Sequence, residues 1–496
     1  MHGLLATSLG VTCAAALTLP LAPPAGAAPE PPAPMAEAAA AVAGAARPDP
    51  PQAPGAPPRA ASATPDLPGS TQSLPLAPLA RDRALGGAGD QGLPRRDVRH
   101  FSLLGVVWND PDTPLHGRVQ VRTRAAATHA WSGWQDLETH NDDHGADPGT
   151  AERTSGHVRA GTAPLWVGDS DGVEVRVHGE DTDRHGRTGT TRTGTTRAAL
   201  TTPGAAAALP KGLRLELIDP GTEDTRAVHL SAEAAGTRQL RPAALDAEAR
   251  AASAANADLA PVGALEIPAL DRAQTRSELL SLRSGQLTAA QKAKPYIGPR
   301  PGIVTRRGWG ADEKLREKSF VYTSKVKAAF VHHTASGNTY KCSQAPSLIR
   351  GIYRYHVRSM GWRDIGYNFL VDKCGTIYEG RAGGVAKAVL GAHTLGFNTN
   401  SMGIAVIGTF GSTKPPAAAV TAVARLTAWK LGLYGGNPKG KTYLKSGGGN
   451  LYRKGKNVRL NVISGHRDGF ATECPGRQLY GKLGTARSSA ARLQGR

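Results

Sequence analysis

Three short apolar runs constrain the C-terminal part of this chain most: "KAAFVHH" (327–333), "MGIAVIGTF" (402–410) and "LNVISGH" (460–466). Each is too short for a long helix and lacks the strict alternation of a half-exposed strand. Such runs read as strands buried on both faces. Helical stretches lie between them. Leu348, Ile352, Tyr355 and Met360 recur at helical spacing, and "AAAVTAVARLTAWKLGL" follows Pro415 and Pro416. "YNFLVDKCGTIYEG" reads as two strands around a glycine-containing turn. This alternation predicts an α/β domain, a mixed β-sheet flanked by helices, over residues 301–485. Residues 486–496 are expected to be a C-terminal tail.

The preceding residues change character several times. Residues 1–27 hold an Ala/Leu-rich run ending in Ala25-Gly26-Ala27, the pattern of a secretory signal peptide. No other apolar stretch is long enough to span a bilayer, so a protein secreted to the cell wall, without stable membrane insertion, is expected. Residues 28–97 are Ala/Pro-rich and read as a disordered linker. From 98 to 220, "HFSLLGVVW", "GRVQVRTR", "GVEVRVHG" and "LRLELID" sit between Gly, Asp and Pro turns. They predict a β-rich, sandwich-like domain with a low-complexity insert. Residues 221–300 read as an Ala-rich helical or linker segment.

Charge is unevenly spread. The chain carries 60 Lys and Arg against 40 Asp and Glu, a net charge of +20. Residues 301–496 hold 31 of those basic residues and 8 of the acidic ones, so the excess belongs to the C-terminal domain. Such a field attracts polyanions. For an exported protein these are anionic wall polymers. Nucleic acid is disfavoured, because the basic residues are not interleaved with aromatic ones.

Of four cysteines, Cys13 falls in the signal segment. If Cys342 and Cys374 pair, Cys474 is left as a free thiolate candidate. Cys474 lies in "GHRDGFATECPG" (465–476), which also holds His466. Zinc favours imidazole nitrogen and thiolate sulfur, and a catalytic zinc takes three protein ligands. "FVHHTA" supplies another histidine, but strand alternation puts His332 and His333 on opposite faces and does not choose between them. A serine triad of Ser464, His466 and Asp468 fails on two counts. The residues crowd one strand end, and no G-x-S-x-G turn is present.

Five motifs in order carry a resemblance over about residues 303–485: "RRGWGA", "FVHHTA", "GWRDIGYNFLVDKCGTIYEGR", "GAHTLGFNTNSMGIAVIGTF" and "GHRDGFATECPG". They resemble the peptidoglycan recognition protein family, which shares its fold with type 2 N-acetylmuramoyl-L-alanine amidases. The whole chain is similar to multidomain secreted forms from actinobacteria. The resemblance implies Zn2+ held by His332, His466 and Cys474, with Tyr367 and Thr472 acting at the scissile carbonyl. It implies a peptide-stem groove lined by His356, Trp362, Arg381, His393 and Asn398. It also implies peptidoglycan as partner and cleavage of the bond between N-acetylmuramic acid and L-alanine. Retention of the amidase-type cysteine favours a hydrolase over a non-catalytic peptidoglycan-binding protein. After "EGR" the chain reads Ala382-Gly383-Gly384, where many relatives continue Gly-Trp, so stem-peptide preference is not inferred.

Overall fold

The computed structural model describes residues 69–79, 90–139, 143–180, 208–221 and 245–496. The signal segment, Cys13 and most of the low-complexity insert lie outside the described residues. The described residues all belong to one compact unit.

The β-rich domain holds β1 (Ser70–Pro75), β2 (Ala77–Pro78), β3 (Gln91–Trp108), β4 (Gly117–Ala125), β5 (Gln135–Leu137), β6 (Ala160–Gly161), β7 (Leu165–Gly179) and β8 (Arg214–Asp219). The antiparallel sheet runs β1-β8-β3-β7-β4-β5, with β2 and β6 also pairing β3. Register shifts between β3 and β7, at Leu93/Arg96, Asp97/Phe101 and Phe101/Leu103, bend the longest pair. "LLGVVW" does not alternate because both of its faces are covered. Leu104, Val106 and Trp108 pack into the domain's own core with Val119, Val175 and Leu215. Leu103 and Val107 pack with Ile349, Ile352 and Tyr355 of the C-terminal domain. Glycine makes that contact close: a Cβ at Gly105 or Gly161 would lie 2.6 or 2.7 Å from the Tyr355 side chain. The Tyr355 hydroxyl donates to Thr162 O at 2.9 Å.

Three expected boundaries are corrected. The linker expected over 28–97 gives way to structure by Gly69, because β1 pairs with β8 along its whole length. Pro75 obscured this strand; at a sheet edge its missing N–H costs little. Of the segment 221–300, residues 222–244 lie outside the described residues. From 245 onward it is not a linker but part of the C-terminal core. It contains α1 (Ala247–Ala254), β9 (Glu266–Ile267), α2 (Arg272–Arg283) and α3 (Ala289–Ala293), and it buries Ile267, Leu279 and Ile297. The expected tail 486–496 is mostly helix, described below.

The C-terminal domain adds β10 (Ile303–Val304), β11 (Ala328–His333), α4 (Ala345–Arg354), β12 (Phe369–Val371), β13 (Ile377–Glu379), β14 (Ser401–Val406), α5 (Ala417–Gly432), β15 (Lys441–Lys445), β16 (Asn457–Asn461), β17 (Ile463–Gly465), α6 (Arg477–Tyr480) and α7 (Leu483–Gln494). Its mixed sheet runs β17-β11-β14-β12-β13-β10-β9. The central pairs β17–β11, β11–β14 and β14–β12 are parallel. Helix α4 covers the face bearing Leu370 and Ala405, while α5 and α7 cover the face bearing Val331, Ile404 and Val406. Burial on both sides accounts for the continuous apolar runs. Helix α7 buries Leu483, Ala486 and Ala490, an alanine stripe at helical spacing. No helix among the described residues is long and apolar enough to cross a membrane.

Candidate metal centre

The parallel pair β11 and β17 aligns its two C-terminal ends. His332 sits near the end of β11, and β17 runs directly into a 3-10 turn, His466–Asp468. Asp468 fastens that turn: its carboxylate accepts from Gly465 N at 3.0 Å and from the Tyr480 hydroxyl at 2.6 Å. Arg467 N donates to Cys474 O at 3.0 Å, folding the cysteine loop back over the turn.

His332 Nδ1 lies 3.1 Å from His466 Nδ1 and 3.7 Å from Cys474 Sγ. Neighbouring ligands of a tetrahedral zinc are about 3.3 Å apart for two nitrogens and about 3.6 Å for nitrogen and sulfur. One donor atom from each of His144, His332, His466 and Cys474 lies within 4.8 Å of all the others, and all four residues are buried. His144 Nε2, His466 Nε2 and Asp143 Oδ2 are buried without a hydrogen-bond partner. Buried polar atoms are normally satisfied, so orphaned imidazole and carboxylate atoms clustered beside the Cys474 thiol fit a bound cation. These residues could hold a metal ion. His333 does not join them. Its Nδ1 accepts from Phe410 N at 3.3 Å, which resolves the choice that alternation left open.

Burial pushes the imidazole of His332 well down and that of His466 down to about 3, so both offer neutral lone pairs. Burial pushes the Cys474 thiol well up. A coordinated cation reverses that and favours the thiolate. Burial raises the Asp143 carboxyl most strongly of any single influence, but His144, His466 and Thr472 together outweigh it and the group sits below the usual range.

Tyr367 is buried, its ring 5.5 Å from that of His332 and 5.7 Å from that of His144. Burial pushes its hydroxyl well up, so it remains a donor. Thr472 lines a small cleft with Glu138, His144, Ala163, Thr334 and Cys474, and its hydroxyl accepts from Cys474 N at 3.1 Å.

The five groove candidates divide. His393 is fully buried beneath the cluster, its ring 5.3 Å from the His332 ring, and its backbone N–H donates to Asn398 Oδ1. His356 stacks 4.4 Å from Trp362 and accepts from Gly366 N. The other three meet the β-rich domain. Arg381 donates both terminal nitrogens to the Glu152 carboxylate at 2.9 Å each. Asn398 Nδ2 donates to Gly145 O and Asp147 Oδ1. Trp362 shares an apolar cluster with Ala146 and Val158. Cys342 and Cys374 form a disulfide, and Cys474 is free and buried.

Sequence reasoning missed Asp143 and His144. The available signal was "NDDHGADPG" (141–149), a His/Asp-rich turn. Nothing in it points to motifs of another domain.

The family described as N-acetylmuramoyl-L-alanine amidase matches residues 322–477. A second, described as Rv3811 N-terminal galactose-binding domain-like, matches residues 58–204. The chain is similar to peptidoglycan-recognition protein 1 of Holotrichia diomphalia, 31% identical over 184 residues, covering 37% of this chain and 79% of that protein. It is also similar to peptidoglycan-recognition protein SC2 of Drosophila simulans, 29% identical over 183 residues, covering 37% of this chain and 85% of that one. Among solved structures it is similar to peptidoglycan recognition protein-LE in complex with tracheal cytotoxin. That match has 33% identity and a TM-score of 0.29, covering 37% of this chain and 92% of that one.

Proposed function

Since the chain belongs to the family of peptidoglycan-recognition proteins and type 2 N-acetylmuramoyl-L-alanine amidases, we propose that it is a secreted zinc-dependent amidase. It cleaves the amide between N-acetylmuramic acid and L-alanine in peptidoglycan. The observation that carries this reading is the convergence of His332, His466 and Cys474 at spacings that suit zinc.

When bound, zinc would supply Lewis acidity at the scissile carbonyl and activate water. The chain's own residues do the rest. Tyr367 and Thr472 donate hydrogen bonds as negative charge develops on the carbonyl oxygen; one such preorganised donor is worth about 3–4 kcal/mol. Arg381 offers a two-pronged guanidinium to a stem-peptide carboxylate. Asn398 offers an amide N–H to a stem carbonyl. The basic surface holds the enzyme near anionic wall polymers, an attraction that salt weakens.

The test is zinc content together with release of L-alanine amino termini from purified peptidoglycan, in the wild type and in Cys474→Ser. Zinc and release are both expected to be lost in the variant. Release undiminished in Cys474→Ser would refute the ligand set. One observation favours a binding-only reading: His144 brings a fourth donor atom within 4.8 Å of the other three, where a catalytic zinc keeps a position open to water. Peptidoglycan retention without any amine release, in zinc-loaded protein, would establish that reading instead.

A further inference from the structure

One stretch of the β-rich domain, residues 143–152, lies across both the metal-binding donors and the groove candidates. We propose that His144 is a fourth protein ligand that closes the metal centre of the intact chain, and that residues 143–152 fill the stem-peptide groove as an internal occupant. The proposal rests on the amidase reading above and adds latency to it.

Three observations converge on His144. Its ring lies 4.6 Å from that of His466, edge-on, and 5.2 Å from that of His332. Its Nδ1 lies 2.6 Å from Asp143 Oδ1, while its Nε2 is buried without a hydrogen-bond partner. A carboxylate on one imidazole nitrogen, with the other left for a metal, is the usual outer support of a metal-bound histidine. A catalytic zinc keeps a position open to water; a fourth protein ligand removes it.

The groove is filled in a consistent sense. Leu395 N donates to Asp143 O at 2.9 Å. Asn398 Nδ2 donates to Gly145 O at 2.8 Å and to Asp147 Oδ1 at 2.7 Å. Gly396 N donates to the same carboxylate at 2.8 Å. Arg381 grips Glu152 with two nitrogens, and Arg363 N adds a third bond to it at 3.2 Å. Each of these bonds runs from a donor on the C-terminal domain to a carbonyl or carboxylate on the segment. A groove built of donors suits the carbonyls and carboxylates of an acidic peptide, and residues 143–152 supply that chemistry from within the chain. Substrate enters only when the segment withdraws.

The test replaces zinc by Co2+ in the purified full-length chain and reads its visible absorption spectrum. In the wild type, one Co2+ binds and added imidazole changes the spectrum only slightly, through the minor open fraction. In His144→Ala, Co2+ still binds, about tenfold or more weakly. There imidazole restores the wild-type spectrum by filling the vacated place. Amine release from peptidoglycan by the zinc-loaded variant rises about tenfold, as expected if roughly nine-tenths of the wild type is closed. Glu152→Gln, which leaves the metal ligands untouched, is expected to make the wild-type spectrum responsive to imidazole. A wild-type spectrum that imidazole converts completely, as at an open coordination position, would overturn the proposal without recourse to any variant. So would identical spectra and affinities in wild type and His144→Ala, with the amidase reading left intact. Absence of metal binding in the wild type would instead bring down the amidase reading, and this proposal with it.

Discussion

The contact between Glu152 and Arg381 tests the docking of the two domains quantitatively. Their side chains are 6% and 5% exposed and joined at 2.9 Å. Glu152→Ala leaves the guanidinium buried without its counter-charge, and removing one member of a buried pair costs about 3–5 kcal/mol. Three carbonyls stay near Arg381, those of Ile365, Leu390 and Asp364. They can absorb part of the lost hydrogen bonding, which places the expected cost at the low end, about 3 kcal/mol. Arg381→Ala has a similar effect in reverse, because among the described residues Glu152 then keeps the bond from Arg363 N alone. The double variant therefore loses less than the sum of the singles, with a coupling energy of about 2–3 kcal/mol. Urea unfolding of the four proteins measures it. Arg118 and Asp136 form the control, since they are also doubly hydrogen-bonded but 62% and 55% exposed. Solvent screening leaves that pair almost without effect. A Glu152–Arg381 coupling below about 0.5 kcal/mol would refute the claim that this pair anchors the domains.

Further outcomes are expected. Burial, partly offset by Asn256 and Arg306, pushes the Glu379 carboxyl up to about 7. The folded state thus binds this proton more tightly than the unfolded one. The associated stability is full below about pH 4.5 and is lost as pH rises to 7, a change of roughly 3 kcal/mol. Unfolding free energies of wild type relative to Glu379→Gln, measured from pH 4.5 to 7.5, should fall by that order; a pH-independent difference excludes it. The disulfide closes a separation of 32 residues, and replacing both Cys342 and Cys374 by serine should lower stability by about 3–4 kcal/mol. Equal denaturation midpoints for the two proteins would count against that. At Gly361, φ is +73° and a Cβ would lie 2.0 Å from His157 O. Gly361→Ala should therefore cost about 2 kcal/mol or more, seen as a lower melting temperature, and unchanged melting would show that the backbone there yields freely.

What was legible follows from how each residue is buried. The strands β11 and β14 are covered on both faces, so they appear as continuous apolar runs that need no partner to be recognised. His332 and His466 stand at or just after such strands, Cys474 lies in the loop that follows, and their chemistry marks them. Strand β9 was illegible because two residues carry no period. Helix α7 was read as a tail because alanine is a faint apolar signal. Strand β1 was hidden by proline, which only an edge position tolerates. His144 and Glu152 pose a different difficulty, since Glu152 meets Arg381 across 229 residues and a domain boundary. "NDDHGADPG" has the polarity, glycine and proline of a solvated turn. The same composition is required of a segment that enters a groove of donors, because buried carbonyls and carboxylates must each meet an N–H. Asp143, Gly145, Asp147 and Glu152 meet theirs on the C-terminal domain. A turn that looks like surface in its own domain is therefore the complement of the donor-lined groove and the candidate metal centre of the C-terminal domain.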